Sequence, residues 1–105
     1  AAIASLSEKS SCQAADESAR TVISRQGYAE RFIHKLGHGI GLDVHEEPFL
    51  CKGEELAVQS GMLFAVEPSI FIPHRCFVRV EDIVEVTDCS ACSMSKVSRE
   101  ICVVE

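Results

Sequence analysis

Three histidines lie close together in the stretch HKLGHGIGLDVHEE, which spans residues 34 to 47. They are His34, His38 and His45, three of the four histidines in the chain, and three glycines are interspersed among them. Imidazole is the commonest protein ligand for transition metals, and it is the side chain that exchanges a proton nearest neutral pH. The glycines allow backbone to come close to whatever the rings surround. The stretch therefore indicates either a metal site or acid/base chemistry.

Two glutamates are set among apolar residues typical of β-strands. Glu67 lies in the run MLFAVEPSIFI at 62–72, and Glu81 lies in FVRVEDIVEVT at 77–87. A carboxylate that faces a core is costly unless it is paired or bound to a metal, although on an open sheet face it simply points to solvent. If the two runs pair as a hairpin across residues 73–76, both carboxylates can project towards the histidines. A mixed His/Glu/Glu set is typical of hydrolytic metal sites.

An amphipathic helix is predicted over roughly residues 11 to 26. Ser10 with Gln13 makes a start similar to a capping box, and Gly27 is a natural stop. The side expected to face the core consists of Cys12, Ala15, Ala19, Val22, Ile23 and Gln26. The side expected to face solvent consists of Asp16, Glu17, Arg20 and Ser24. Apolar residues at this spacing form one continuous stripe along a helix, which favours packing against the core.

The remaining predicted elements are shorter. Residues 1–7 are predicted to finish an earlier helix, and Pro48 to mark a break before a polar loop at residues 52–60. Residues 101–104 are predicted to form a last short strand. The chain contains no internal repeat and no low-complexity segment.

Composition argues against several classes of function. With 105 residues, of which 47% are hydrophobic, the chain fits one folded domain. A net charge of −6 and scattered basic residues argue against nucleic-acid binding, which needs clustered Lys and Arg. No apolar run approaches the length of about 18 residues that a membrane span needs, and no signal peptide is evident. We therefore expect a cytoplasmic protein and, because no initiator Met is present, a piece of a longer one.

Six cysteines could form three disulfides in a secreted scaffold. We expect free thiols instead, because the chain has ample apolar residues for a core and nothing points to export. Cys89 and Cys92 make one CxxC pair. Such a pair indicates a zinc or redox site only with a second pair or a suitable fold.

Three ordered runs resemble a known family. HKLGHGIGLDVHEEP, GMLFAVEPSIFIP and VRVEDIVEVT are similar to the C-terminal half of the pita-bread metallopeptidases, the clan of methionine aminopeptidase, aminopeptidase P, prolidase and creatinase. The likeness extends over residues 1–105, and VRVED at 78–82 resembles the Xaa-Pro peptidase branch. The resemblance implies an α+β fold with a curved antiparallel sheet and helices on its outer face. Residues 1–105 would then be a partial catalytic domain that lacks the N-terminal half.

The resemblance also implies a metal centre. His38 matches the ligand in the GHGIG motif, Glu67 matches the ligand in VEP, and Glu81 matches the carboxylate that bridges two metal ions. Arg79 matches an arginine beside the bridging carboxylates, a partner that orients ligands. The intact family enzyme would hold two divalent ions, with Mn, Co and Zn as candidates. This chain would bind at most one of them, and weakly.

His34 and His45 match family histidines that line the substrate site and stabilise the tetrahedral intermediate. The activity implied is hydrolysis of peptide bonds next to proline, so the expected partner is a proline-containing peptide. Nucleic acid and membranes are not expected as partners, and a homo-oligomer is left open. Two alternatives also remain open. One is a non-catalytic or degenerate copy that binds peptide, and the other is a metal-free creatinase-type hydrolase in which His38 acts as acid and base.

The chain departs from the family pattern at several points. The family takes two further aspartate ligands from a strand hairpin in its N-terminal half, and nothing here supplies them. The chain therefore carries three of the five expected ligands, and we expect it to be inactive in isolation. Ser69 replaces the glycine usual after VEP, and Phe71 replaces the usual tyrosine. Neither change removes a ligand.

Overall fold

Two α-helices and seven strands form the part of the chain that the computed structural model describes, residues 1–104. The helices are α1, Ala2–Ser5, and α2, Cys12–Arg25, and a short 3-10 turn follows at Ala29–Arg31. The first four strands are β1, Gly37–Gly39; β2, Glu46–Leu50; β3, Leu63–Val66; and β4, Ser69–Ile72. The last three are β5, Cys76–Arg79; β6, Asp82–Val86; and β7, Ala91–Ser93.

Helix α2 confirms the predicted amphipathic helix to within one residue at each end. Its N-cap is Ser11, one residue later than predicted, and the Ser11 hydroxyl accepts a hydrogen bond from the Ala14 amide at 3.2 Å. Gly27 follows the last turn with a φ of +82°, a backbone conformation that favours glycine. The expected helix within residues 1–7 is also present, as α1.

The prediction that Asp16 faces solvent is wrong. Its side chain is 0% exposed, whereas Val22, predicted to face the core, is 47% exposed. The Asp16 carboxylate lies 2.6 Å from the Arg20 guanidinium and also accepts a hydrogen bond from the Leu36 amide at 3.2 Å. A buried carboxylate is tolerated where such partners compensate for lost water. The helix is therefore rotated relative to its apolar stripe, because Asp16 finds those partners inside.

Strand β1 lies inside a five-stranded antiparallel sheet with the order β2-β1-β3-β6-β7. A Cβ atom on Gly37 would lie 2.0 Å from the Ala65 carbonyl oxygen of β3, so only glycine allows this approach. Gly37 therefore serves the packing of β1 against β3.

Each of the two long predicted strands is divided in two. Their predicted pairing is confirmed, since β3 pairs with β6 and β4 pairs with β5, but β4 and β5 form a separate two-stranded sheet. Pro68 lacks an amide hydrogen and cannot continue the donor row of a strand. Its carbonyl instead accepts a hydrogen bond from the Val80 amide at 3.2 Å. Glu67 and Glu81 consequently lie at the two breaks.

Three smaller predictions need correction. Pro48 lies within β2, an edge strand, where a missing amide hydrogen is tolerated. The predicted strand at 101–104 is absent from the described residues, because no neighbouring strand pairs with this exposed segment. The edge strand that pairs with β6 is β7, which was not predicted.

The core lies between the helices and one face of the five-stranded sheet. It contains Ala2, Leu6, Cys12, Ala15, Ala19, Phe32, Leu36, Leu50, Val58, Phe64, Val66, Val84 and Val86. The opposite face carries His38, which lies across from Phe49 on one neighbouring strand and from Ala65 on the other. Directly opposite residues share a face. The sheet thus separates the core from the face that bears the first candidate ligand.

Candidate functional site

An open cavity of about 660 Å³ lies over the face of the sheet that carries His38. It is lined by Arg20, Ile33, His34, Lys35, Gly37, His38, His45, Phe49, Glu67 and Arg79. All three histidines of the cluster contribute, together with one predicted carboxylate ligand and the predicted orienting arginine. The structure therefore brings together every predicted site residue except Glu81.

His38 and Glu67 face each other among the residues that line this cavity. His38 Nε2 lies 3.4 Å from Glu67 Oε1, and the two side chains are 9% and 15% exposed. His38 Nδ1 lies 2.8 Å from the Gly39 carbonyl oxygen. Since a carbonyl only accepts, this contact places a ring hydrogen on Nδ1, and Nε2 is the nitrogen that faces Glu67. An imidazole nitrogen and a carboxylate oxygen in this arrangement can share a cation.

Arg79 orients the Glu67 carboxylate. Its Nη1 atom lies 2.8 Å from Glu67 Oε2, the oxygen that does not face His38. The Glu67 amide also donates a hydrogen bond to the Leu36 carbonyl at 2.8 Å, which holds the residue from its backbone. One oxygen of Glu67 is therefore anchored, and the other is directed at the imidazole. An arginine beside a ligating carboxylate has this orienting effect in metal sites.

His34 is held on both ring nitrogens. Its Nδ1 donates to the Lys35 carbonyl at 2.6 Å, so Nε2 is left as an acceptor. That Nε2 contacts the Ser69 hydroxyl and lies 3.3 Å from Nη2 of Arg79. Ser69 is buried, and sequence reasoning gave it no role in the site. The signal that could have found it was the departure from glycine at that position.

His45 lies in the loop between β1 and β2. Its ring is tilted against the His38 ring, with 4.4 Å between the centroids. Within residues 1–104 its ring nitrogens make no hydrogen bond, in contrast to those of His34. Both ring nitrogens of His45 are therefore available to a bound molecule.

Glu81 lies outside this arrangement. It is exposed and lines a neighbouring cavity of about 260 Å³, and Arg79 lines both cavities. The next residue, Asp82, is buried and paired with Arg99 at 2.7 Å. Among residues 1–104 no three His, Cys, Asp or Glu side chains converge as a set that could hold a metal ion. The structure therefore assembles two of the three predicted ligands.

The cysteines take no part in the cavity. All six are free, as expected. Burial, with smaller effects of Glu54 and Cys51, raises the pKa of the Cys12 thiol from 9.0 to about 11. The Cys12 thiol therefore packs as an uncharged apolar group at neutral pH.

Two residues that support the site were assigned to solvent by the sequence pattern. Arg20 lines the cavity, donates hydrogen bonds to the carbonyls of Phe32 and His34, and is paired with the buried Asp16. Their spacing of four residues was a visible signal for an ion pair along the helix. A helix pattern alone could not show that the pair points inwards.

Comparison with known proteins identifies the family. The sequence profile of metallopeptidase family M24 matches residues 1–88, most of the chain. The chain belongs to family M24. Among its relatives, a probable dipeptidase PepE of Mycobacterium bovis is 47% identical over 89 residues, which are 85% of this chain and 24% of that protein. An Xaa-Pro dipeptidase of Pyrococcus furiosus is 42% identical over 86 residues, which are 82% of this chain and 25% of that protein.

Solved M24 structures share the fold. The crystal structure of dipeptidase PepE from Mycobacterium ulcerans superimposes with a TM-score of 0.94 at 42% identity, over 96% of this chain and 27% of that one. An X-Pro aminopeptidase from Thermotoga maritima gives a TM-score of 0.94 at 32% identity, over 98% of this chain and 29% of that one. The expected pita-bread α+β fold and the likeness to the Xaa-Pro peptidases are confirmed. The chain spans about a quarter of the length of these M24 proteins.

No helix among residues 1–104 is long and apolar enough to cross a membrane.

Proposed function

We propose that this chain is part of a metal-dependent peptidase that hydrolyses peptide bonds next to proline. The observation that supports it most is the His38–Glu67 pair, with 3.4 Å between Nε2 and Oε1, inside a cavity that the other two clustered histidines also line. Relatives named Xaa-Pro dipeptidase point to the same bond type. The substrate would be a proline-containing peptide.

His38 and Glu67 are the residues that would hold a divalent ion. They fit one ion, because an imidazole nitrogen and a carboxylate oxygen, the latter on a side chain anchored by Arg79, are directed into the same space. Glu81 would complete a three-ligand set only after turning from the neighbouring cavity. When bound, Mn, Co or Zn supplies Lewis-acid polarisation of the scissile carbonyl and activation of water. The described ligands fit a single weakly held ion and not a two-metal centre.

The two remaining histidines would differ in their roles. Charge that develops on the carbonyl oxygen must be met by a hydrogen-bond donor that is free to point at it. The ring nitrogens of His45 make no hydrogen bond within the described residues 1–104, and the ring lies against His38, so it is the better candidate for this contact. His34 has both nitrogens engaged and would line the substrate wall, unless the Ser69 contact is released.

We also propose that residues 1–105 are a partial catalytic domain. The chain spans about a quarter of the length of its relatives, and the described residues assemble two ligands where a two-metal centre needs more. The isolated chain would then be inactive. A longer natural chain that supplies two aspartates would carry the complete centre.

The surroundings that we propose are a reducing cytoplasm, without nucleic-acid or membrane partners. Six free cysteines support this location, because disulfides form and persist in oxidising compartments. A homo-oligomer would give cover to the exposed apolar side chains Phe77 and Val78 of β5.

A non-catalytic peptide-binding copy is the second candidate. The Arg79–Glu67 ion pair favours this candidate, because it occupies Oε2 of Glu67, an oxygen that a metal ion could otherwise use. The position of Glu81 in the neighbouring cavity favours it too. A copy of this kind would bind proline-containing peptides in the cavity without cleaving them. In a metal-free creatinase-type hydrolase, the other alternative, His38 would act as acid and base.

Cleavage assays separate these candidates. A longer natural chain that includes residues 1–105 is tested on an Xaa-Pro dipeptide with added Mn²⁺ or Co²⁺, beside the 105-residue chain alone. We expect chelator-sensitive cleavage by the longer chain only. In that chain, His45→Ala should lower the turnover rate more than it lowers metal occupancy. His74→Ala, at an exposed turn, is the control. Peptide binding without cleavage by the longer chain would favour the second candidate. Robust cleavage by the short chain would overturn the partial-domain proposal.

A further inference from the structure

Asp16 and Arg20 form an ion pair one turn apart on α2. Arg20 Nε lies 2.6 Å from Asp16 Oδ2, and Nη2 lies 3.2 Å from Oδ1. The Asp16 side chain is fully buried, whereas that of Arg20 is 39% exposed. Burying a charge pair costs desolvation, so such a pair adds little to the stability of a fold by itself. Its presence at this point of the helix calls for a role beyond stability.

The remaining donors of Arg20 hold the segment that carries His34. Nη1 donates to the Phe32 carbonyl at 3.0 Å, and Nη2 donates to the His34 carbonyl at 2.7 Å. The guanidinium also lies 4.4 Å from the centroid of the Phe32 ring, whose edge contacts the His34 ring with 5.3 Å between centroids. A planar guanidinium can serve the carboxylate and both carbonyls together, which a lysine ammonium on a flexible stem cannot reproduce.

Asp16 extends the same network to the metal-ligand side of the cavity. Its Oδ1 shares the amide hydrogen of Leu36 with the Leu50 carbonyl, at N···O distances of 3.2 Å and 2.9 Å respectively. The Leu36 carbonyl accepts a hydrogen bond from the Glu67 amide at 2.8 Å. The backbone of Leu36 therefore links the buried carboxylate to the residue that faces His38.

We propose that Asp16 and Arg20 are positioning residues, which set the place of His34 and of Glu67 from one point on α2. The pair acts through the backbone of residues 32–36 and touches neither His38 nor the face of Glu67 that is directed at it. What the positioned groups do rests on the proposed peptidase function. The positioning itself is a property of this chain without metal or substrate.

The test uses NMR on the metal-free 105-residue chain. It compares wild type with Arg20→Lys, Arg20→Gln and Asp16→Asn, and it uses Arg25→Gln on the last turn of α2 as the matched control. One readout is the ring ¹H–¹⁵N signature of His34, with the exposed His74 as the reference for a ring without fixed contacts. The other is amide hydrogen exchange at Leu36, corrected for the change in global stability of each variant.

In both Arg20 variants we expect the His34 ring signals to move towards those of His74. The His38 ring signals should change no more than they do in the control variant Arg25→Gln. Exchange at Leu36 should become about two- to tenfold faster, because the contact with Asp16 weakens while the Leu50 carbonyl still accepts the Leu36 amide hydrogen at 2.9 Å. Arg20→Lys should fail to restore the wild-type signature of His34. If Arg20 only balanced the charge of Asp16, lysine would restore that signature. Asp16→Asn keeps the side-chain shape but loses the charge that holds the guanidinium, so His34 should move there too.

Three results would overturn the proposal. The first is a His34 signature and Leu36 exchange that change no more than in Arg25→Gln. The second is full restoration by Arg20→Lys. The third is loss of folding in all three variants, because the pair would then be required for the fold as a whole. Failure of the longer natural chain to cleave Xaa-Pro peptides would sink the proposed function and would leave these readouts unaffected.

Discussion

His38 and Glu67 approach each other because of strand register. His38 lies opposite Ala65 in the antiparallel pair of β1 and β3, and Glu67 is two residues beyond Ala65. Glu67 follows the last residue of β3 and continues its pairing, because its amide donates a hydrogen bond to the Leu36 carbonyl at 2.8 Å. Side chains two residues apart on such an extended segment share a face, so all three are directed to the cavity side of the sheet. The 3.4 Å between Nε2 and Oε1 follows from this arrangement. Both side chains are therefore carried by backbone that is hydrogen-bonded to a neighbouring segment.

Register makes Gly37 the most sensitive glycine of the site. We expect Gly37→Ala to destabilise the fold by more than about 3 kcal/mol, because its Cβ would overlap the Ala65 carbonyl oxygen. Gly53→Ala is the control, since its φ is +87° and its Cβ would meet nothing within 4 Å. That control should cost only about 1–2 kcal/mol. Urea unfolding measures both, and a Gly37→Ala cost no larger than that of Gly53→Ala would contradict the close approach of β1 and β3.

Ser69 should control how freely His34 moves. Ser69→Ala removes the hydroxyl that contacts His34 Nε2 and leaves Arg79 as the only partner of that nitrogen within residues 1–104. We expect a loss of about 1 kcal/mol in the free energy of unfolding, the usual value of one hydrogen bond. The His34 ring signals should also broaden or shift in the NMR spectrum. Unchanged His34 signals in Ser69→Ala would refute the contact.

Cys12 should make stability depend on pH in the alkaline range. Its folded pKa of about 11 lies above the ordinary 9.0, so the folded state keeps the thiol proton that the unfolded state loses. The contribution is fully present below about pH 9 and is lost as the pH rises to about 11, up to roughly 2–3 kcal/mol. Urea unfolding of wild type and Cys12→Ala at pH 8 and pH 10.5 measures it. An equal fall in stability for both proteins would contradict the assignment to Cys12.

The residues that line the cavity could be predicted from the sequence more fully than the residues that hold them in place. The spacing of His34, His38 and His45 and the VEP run were sufficient to place four cavity residues, including Glu67, and pairing of the two β-rich runs was also foreseen. These signals are local in sequence, and a strand pair converts them directly into a common face.

Asp16 and Glu81 show where sequence reasoning stops. Asp16 has the local pattern of a solvent-facing residue, and only the tertiary contacts with Leu36 and Arg20 make its burial favourable. Glu81 is placed by a break between β5 and β6, and the strand pattern gave no sign of it. The burial of Asp16 and the position of Glu81 both depend on contacts with residues that are distant in sequence. A pattern of neighbouring residues therefore could not predict them.

Titration of the 105-residue chain with Mn²⁺ or Co²⁺ by isothermal calorimetry tests the metal site most directly. The chain should bind weakly with one ion per chain, since the described residues offer an imidazole and a carboxylate at 3.4 Å. A His38→Ala, Glu67→Ala double variant should lose this binding, whereas His74→Ala, at an exposed turn, should retain it. Equal binding by wild type and the double variant would contradict the assignment of His38 and Glu67 as metal ligands.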